Sequence, residues 1–186
     1  MEIVLASASP RRKELLSLIT EHFTVCPADA DETLRDAPLG EEVTRLSRLK
    51  AEAVQAQHPN AVCIGSDTMV TIDGLRLGKP KDADEAASML RRLRGRTHEV
   101  LTGLAVLTPD GGAHMLHTCT RVTFRDFAED ELAAYLATGE PLDKAGAYGI
   151  QGHGALLIKG IEGDYYSVMG LPVAPLYTIL RDIHAV

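Results

Sequence analysis

Two runs rich in strand-forming residues, 98–107 and 113–124, are separated only by Pro109-Asp110-Gly111-Gly112, and this constrains the chain more than any other feature. Adjacent strands joined by so short a turn pair antiparallel, because a parallel return needs a crossover. Elsewhere, apolar runs alternate with segments of helical periodicity. Residues 2–6 read as a buried strand and Arg11 to Ile19 as a helix with Leu15, Leu16, Leu18 and Ile19 inward. A short strand over His22 to Cys26 and the acidic loop PADADETLRDAP come next, then an amphipathic helix from Glu41 to Gln57. The strand 61–65 runs into Ser66-Asp67-Thr68, and Met69 to Ile72 forms one arm of a hairpin turning at Asp73-Gly74. Asp82, with Glu85 three residues on, starts a helix carrying Met89, Leu90 and Leu93. A helix near 128–138, a strand near 155–159 and a last helix from Pro172 to His184 complete the pattern. Strands alternating with helices, plus one antiparallel ribbon, predict an α/β fold with a mixed sheet in a single domain over 1–186.

Composition narrows the function. A formal charge of −7 argues against broad nucleic-acid or anionic-membrane binding, which needs a basic stripe. No run approaches the roughly 20 apolar residues of a membrane span. The opening residues carry Glu2 where a signal peptide would carry base. Cys26, Cys63 and Cys119 are odd in number and form no CxxC, which points to reduced thiols and a cytoplasmic protein.

Four segments carry chemistry, with two charged loops beside them. In Ser7-Ala8-Ser9-Pro10-Arg11-Arg12, Ser9 stands at an N-cap and Pro10 at the first helical position. Two arginines in that first turn either are solvated or meet an anion at the helix N-terminus. Lys50 lies between Val43, Leu46, Ala53 and Val54 in helical projection, and either snorkels to solvent or points into a cleft toward negative charge. Asp67, at the C-terminal end of an apolar strand, can hold a divalent ion, activate water or cap the next turn. The carboxylates of Asp29, Asp31 and Glu32, with Gly78-Lys79-Pro80-Lys81, offer the cations and metal ligands that phosphoryl chemistry combines. Between Gly146 and Gly154, four glycines in nine residues give a flexible loop or a close backbone approach to a ligand, and Gln151 can read a base edge. His153 reads as a surface residue and His98 as structural. The GxxxxGK[ST] loop, GxSxG, HExxH and paired CxxC are all absent.

Taken together, SASPRR, Asp31-Glu32, Lys50, GSDT, LGKP, DKAGAYGIQG and GLPV resemble the Maf family of nucleoside triphosphate pyrophosphatases, in order, from residue 3 to about 180. The DKAGAYGIQG segment is similar to the branch acting on dTTP and UTP. The resemblance implies an elongated, two-lobed Maf/inosine-triphosphatase-like fold with helices flanking a twisted mixed sheet, a cleft between the lobes, and a commonly homodimeric state. It implies hydrolysis of the α–β phosphoanhydride of dTTP, UTP or modified pyrimidine nucleotides to the monophosphate and pyrophosphate, in a house-cleaning or septation-linked role. Asp67 matches the family's catalytic aspartate. Ser7, Arg11, Arg12, Lys50, Thr68, Lys79 and Gln151 match its substrate-binding positions, and Glu32 with Asp67 would hold a divalent cation (Mg, Mn or Co). One carboxylate does not readily serve as both metal ligand and base, so the role of Asp67 stays open between the two. Ser66 departs from the alanine common before that aspartate. Two other readings stand beside this one: a non-catalytic nucleotide-binding regulator of septum formation, and a purine house-cleaning enzyme of the inosine-triphosphatase type.

Overall fold

The computed structural model describes residues 1–186. Its strands are β1 (Ile3–Leu5), β2 (Thr24–Val25), β3 (Val62–Ile72), β4 (Leu75–Leu77), β5 (Thr97–Leu107), β6 (Ala113–Phe124) and β7 (Ile158–Glu162). Its helices are α1 (Pro10–Ser17), α2 (Leu39–Gln55), α3 (Ala83–Leu93), α4 (Glu129–Ala137), α5 (Tyr165–Met169) and α6 (Val173–Asp182). The strands form one seven-stranded mixed sheet in the order β2-β1-β3-β5-β6-β7, with β4 beside β3. β1 is parallel to both β2 and β3, whereas β4 and β7 run antiparallel to their neighbours. The expected ribbon is present as β5 and β6, neighbours in the sheet, and the turn between them closes through Thr108 N–H to the Gly112 carbonyl at 2.9 Å.

The chain divides into two compact units. The first comprises Met1–Thr68, Leu101–Thr118 and Gly170–Val186. Part of its interior is a small-residue cluster of Val4, Ala6, Ala51, Val54, Ala61 and Cys63. Small side chains here let α2 lie close on the strands. The second unit comprises Met69–Val100 and Cys119–Met169, and its core is more aromatic, with Phe124, Phe127, Tyr135 and Tyr148 among Leu90, Leu93 and Leu157. Asp82 caps α3 as expected, its carboxylate accepting Glu85 N–H at 2.8 Å, while Glu85 accepts Lys81 N–H at 2.7 Å.

Three expectations need correction, and one element was not anticipated. The first helix ends at Ser17, so Leu18 leaves the helical register and is 63% exposed, while Leu15 and Leu16 are buried. Residues 61–72 do not form a strand followed by a separate hairpin arm. Val62–Ile72 form one eleven-residue strand, whose end does turn at Asp73-Gly74 into antiparallel β4, so Asp67 sits mid-strand and not at a strand end. The sheet tolerates that polar interruption because Ser66 Oγ donates to the Gly103 and Gly170 carbonyls (2.7 and 2.9 Å) and Asp67 accepts from Lys50. The predicted strand at 155–159 shifts to 158–162, because Gly152–Leu157 coil into a 3-10 segment. Its tight start needs Gly154, where a Cβ would lie 2.2 Å from the Gly149 carbonyl oxygen. The short α5 was not anticipated. Asp164 starts it, accepting the N–H groups of Tyr166 and Ser167 at 3.1 Å each.

Candidate active site

In the first unit, the approach to α1 is organised around one guanidinium. Ser9 is the N-cap in extended conformation, Pro10 fills the first helical position, and Arg12 returns from the first turn toward the strands. Arg12 Nε donates to the Gly170 carbonyl at 2.8 Å, Nη1 to Ser7 Oγ at 3.3 Å and Nη2 to Thr68 Oγ1 at 3.3 Å. Thr102 Oγ1, on β5, donates in turn to Thr68 Oγ1 at 3.1 Å. Arg12 is thus a fixed, half-buried cation. Burial draws its pKa below the ordinary value, and the neighbouring charge of Arg11 does the same. Asp67 and Glu32 oppose that shift. The guanidinium remains charged.

A second cation is placed by how α2 meets the sheet. A Cβ on Gly65 would lie 2.0 Å from the Ser47 carbonyl oxygen, and one on Gly103 would lie 2.2 Å from that of Val43. The helix backbone therefore rests directly on β3 and β5 at two points. From that seat Lys50, only 8% exposed, extends its ammonium to Asp67 Oδ1 at 2.6 Å and Glu32 Oε2 at 3.0 Å. The snorkelling alternative is excluded by this geometry. Glu32 arrives on the acidic loop, which α2 also secures. Glu42 accepts Arg35 N–H at 2.9 Å and binds Arg45 Nε at 2.8 Å, and Arg45 Nη2 donates to the Thr33 carbonyl at 2.9 Å. Hydrogen bonds from Arg45 hold the Glu42 carboxyl well below the usual range, at about 2. Asp31 turns to Thr33 N–H at 2.9 Å and takes no part in the Lys50 cluster.

The structure therefore gathers Ser7, Arg12 and Thr68 around one guanidinium, and Glu32, Lys50 and Asp67 around one ammonium. Arg11 is half-buried in the same first turn of α1. No group of three or more His, Cys, Asp or Glu converges as a self-sufficient metal cage. Two carboxylates nonetheless fit Mg²⁺-type binding, in which one or two protein carboxylates are completed by substrate phosphates and water. An open depression of about 730 Å³, lined by Ile19, Tyr177, Arg181, Asp182, His184 and Val186, shares no residue with either cluster.

Lys79 and Gln151 belong to the second unit. Lys79 is exposed just after β4, and the carbonyl of the preceding Gly78 accepts Gly146 N–H at 3.0 Å. Gln151 is half-buried and extended, at the cap of the 3-10 segment Gly152–Leu157. In the glycine-rich stretch Gly146 and Gly152 adopt left-handed φ values of 72° and 64°, and Gly149 N–H donates to Tyr135 Oη at 3.2 Å. His153 is a surface residue paired with Glu140 at 2.8 Å. His98 is 1% exposed, with Nε2 2.7 Å from Tyr148 Oη.

Sequence reasoning missed the supports of these clusters. Thr102 and the Glu42–Arg45 pair carry no motif. The Gly170 carbonyl was visible only as the start of GLPV, with nothing to tie it to Arg12, 158 residues away.

A profile described as Maf-like protein matches residues 2–183. The dTTP/UTP pyrophosphatase of Bacillus velezensis is 51% identical over 183 residues, covering 98% of this chain and 96% of that protein. The dTTP/UTP pyrophosphatase of Moorella thermoacetica is 51% identical over 181 residues, covering 96% and 93% respectively. Among solved structures, the Staphylococcus aureus Ham1 protein aligns over 68% of this chain and 73% of its own, at 19% identity and a TM-score of 0.49.

Proposed function

Because the chain belongs to the Maf family, we propose that it is a hydrolase that cuts dTTP and UTP between the α- and β-phosphates, releasing the nucleoside monophosphate and pyrophosphate. The observation that carries this reading is the contact of buried Lys50 with buried Asp67 and exposed Glu32, in the unit where Arg12 is fixed between Ser7, Thr68 and Gly170. A pure binder of a triphosphate has no use for two carboxylates among its cations, since they repel the ligand. An enzyme uses them to take a proton or hold a metal ion. The relatives' names weigh against the purine-directed and non-catalytic readings.

In the proposed mechanism Arg11, Arg12 and Lys50 bind phosphate oxygens and stabilise charge that grows as the bridging bond breaks. Asp67 accepts the proton of the attacking water. Lys50 orients that carboxylate through the 2.6 Å contact. Glu32, and Asp67 where it is not the base, would hold a divalent cation, which would supply Lewis-acid neutralisation of the phosphates. Ser7 and Thr68 enter as substrate-binding residues that hold Arg12. Lys79 and Gln151 enter on their motifs, Lys79 for phosphate and Gln151 for the base. We place the reaction in the cytoplasm, in keeping with three cysteines that form no disulfide.

The test is turnover of a nucleotide panel with Mg²⁺, Mn²⁺ or Co²⁺, with both phosphate products assayed. Pyrophosphate from dTTP and UTP, abolished by chelator and restored by metal, is the expected result. Orthophosphate with a nucleoside diphosphate as first products would refute the cleavage position, and full activity in excess chelator would refute the metal.

A further inference from the structure

The segment that carries Gln151 has a backbone that local preferences alone do not explain. Gly146 and the next residue, Ala147, are both left-handed, with φ of 72° and 61°. A left-handed alanine is uncommon and persists only where the surroundings over-determine it. The second unit supplies the constraint at three points. Gly146 N–H is held by the Gly78 carbonyl at 3.0 Å, and its Cα presses on Val70, whose Cγ1 would meet a Cβ at 3.0 Å. Gly149 N–H is held by Tyr135 Oη at 3.2 Å. Between them, Tyr148 is pulled into the core, its hydroxyl 2.7 Å from His98 Nε2 on β5.

That last contact is unusual in composition. His98 and Tyr148 pack edge-to-face at 5.3 Å, and Tyr148 also meets Phe124 edge-to-face at 4.8 Å. A phenylalanine at 98 would satisfy such an aromatic cluster without a buried polar atom. The chain instead keeps an imidazole whose Nδ1 is buried with no hydrogen-bond partner. A buried polar group left unsatisfied opposes folding, so packing alone does not account for it. What the imidazole adds is one directional bond that fixes the rotation and depth of Tyr148, three residues before Gln151.

We propose that His98 and Tyr148 are a buried positioning pair that holds Gln151 in its base-reading posture, setting nucleobase preference while touching no substrate. This rests on the reading of Gln151 as a base-contacting residue. The pair acts on the base end of the nucleotide: of the residues read as phosphate-binding, Ser7, Arg11, Arg12 and Lys50 belong to the first unit, and Lys79, in the second, is joined to the segment through the Gly78 carbonyl and not through His98 or Tyr148.

The experiment uses the full chain with Tyr148→Phe, His98→Phe and the double variant. Each receives kcat and KM for dTTP and dATP, and an inhibition constant for tripolyphosphate, which has no base. Removing the bond should raise KM for dTTP on the order of tenfold with kcat within about twofold. Preference for dTTP over dATP should shrink by a similar factor, with tripolyphosphate inhibition unchanged. The double variant should be no worse than the worse single, since both changes remove one interaction. A lowered melting temperature with unchanged base preference, or equal losses for dTTP and tripolyphosphate, would overturn the proposal. If His98→Phe does not fold, Tyr148→Phe keeps the ring contacts and decides. Failure of the unmodified protein to cleave dTTP is a separate result, which overturns the functional reading and this inference with it.

Discussion

The two units hold their candidate residues by opposite means. In the first, opposite charges meet directly: one ammonium between two carboxylates, and one guanidinium on a carbonyl and two hydroxyls. In the second, neutral groups hold a backbone in shape: a histidine on a tyrosine, a tyrosine on an N–H, and two consecutive left-handed residues. The first arrangement places charge where phosphate chemistry needs it. The second places a side chain whose use is recognition. A change in the first unit's charge clusters is therefore expected to alter rate, and a change in the second unit's supports of Gln151 to alter preference.

The largest effect should come from Gly65→Ala. Its methyl would lie 2.0 Å from the Ser47 carbonyl oxygen, so α2 must lift and take Lys50 with it. We expect about 3 kcal/mol of lost stability, at the upper end for overpacking, read by denaturant titration. An unchanged midpoint would break the idea that the charge cluster depends on this seat. Asp67→Asn comes next, with kcat falling by about 10²-fold or more and nucleotide affinity retained. Kinetics across a metal titration sharpen its role: a base lost is not rescued by excess metal, whereas a ligand lost is rescued in part.

His98 probes the second unit through pH. Burial pushes its pKa down from 6.5 to about 4. Between those values the unfolded chain binds more protons than the folded one, so stability rises with pH across the window and is lost on acidification. By pH 4.5 the loss relative to pH 7 should reach about 2 kcal/mol, and His98→Phe should flatten that part of the profile. An equally steep profile in the variant would show that another group causes the acid lability. The smallest effect is expected for Arg48→Ala. The residue lies on the same helix as Lys50, and its pair with Glu52 is exposed on both sides. A loss below about 0.5 kcal/mol is expected by thermal melting. A larger loss would blur the distinction between buried and surface charge.

The elements were legible where local chemistry decides them. Ser9, Pro10 and Asp82 mark helix starts by side chain and ring geometry, and the structure uses each as read. Lys50 was legible as an anomaly, a cation on an apolar face, although the periodicity alone left two outcomes. Three kinds of feature were not legible. Asp67 lies inside a strand because its partners come from other segments, and those distances in sequence leave no local trace. The 3-10 segment at 152–157 replaces a strand because Gly154 touches Gly149, an effect of shape and not of hydropathy. His98 read as structural, and its bond to Tyr148, 50 positions away, gives it a meaning that residue type does not.

The seating of α2 on Gly65 and Gly103 also bears on how such a chain tolerates sequence drift. Where a helix rests on side chains, each change of core volume shifts its height, and groups on it wander with every repacking. Here the helix meets the sheet backbone against backbone at two bare positions, which serve as a fixed datum. Volume-conserving exchanges around it, at Val43, Leu46 or Val54, can then alter stability while the ammonium of Lys50 keeps its place. Variation among neighbours is absorbed by the core, and the mounting of the reactive group is inherited unchanged.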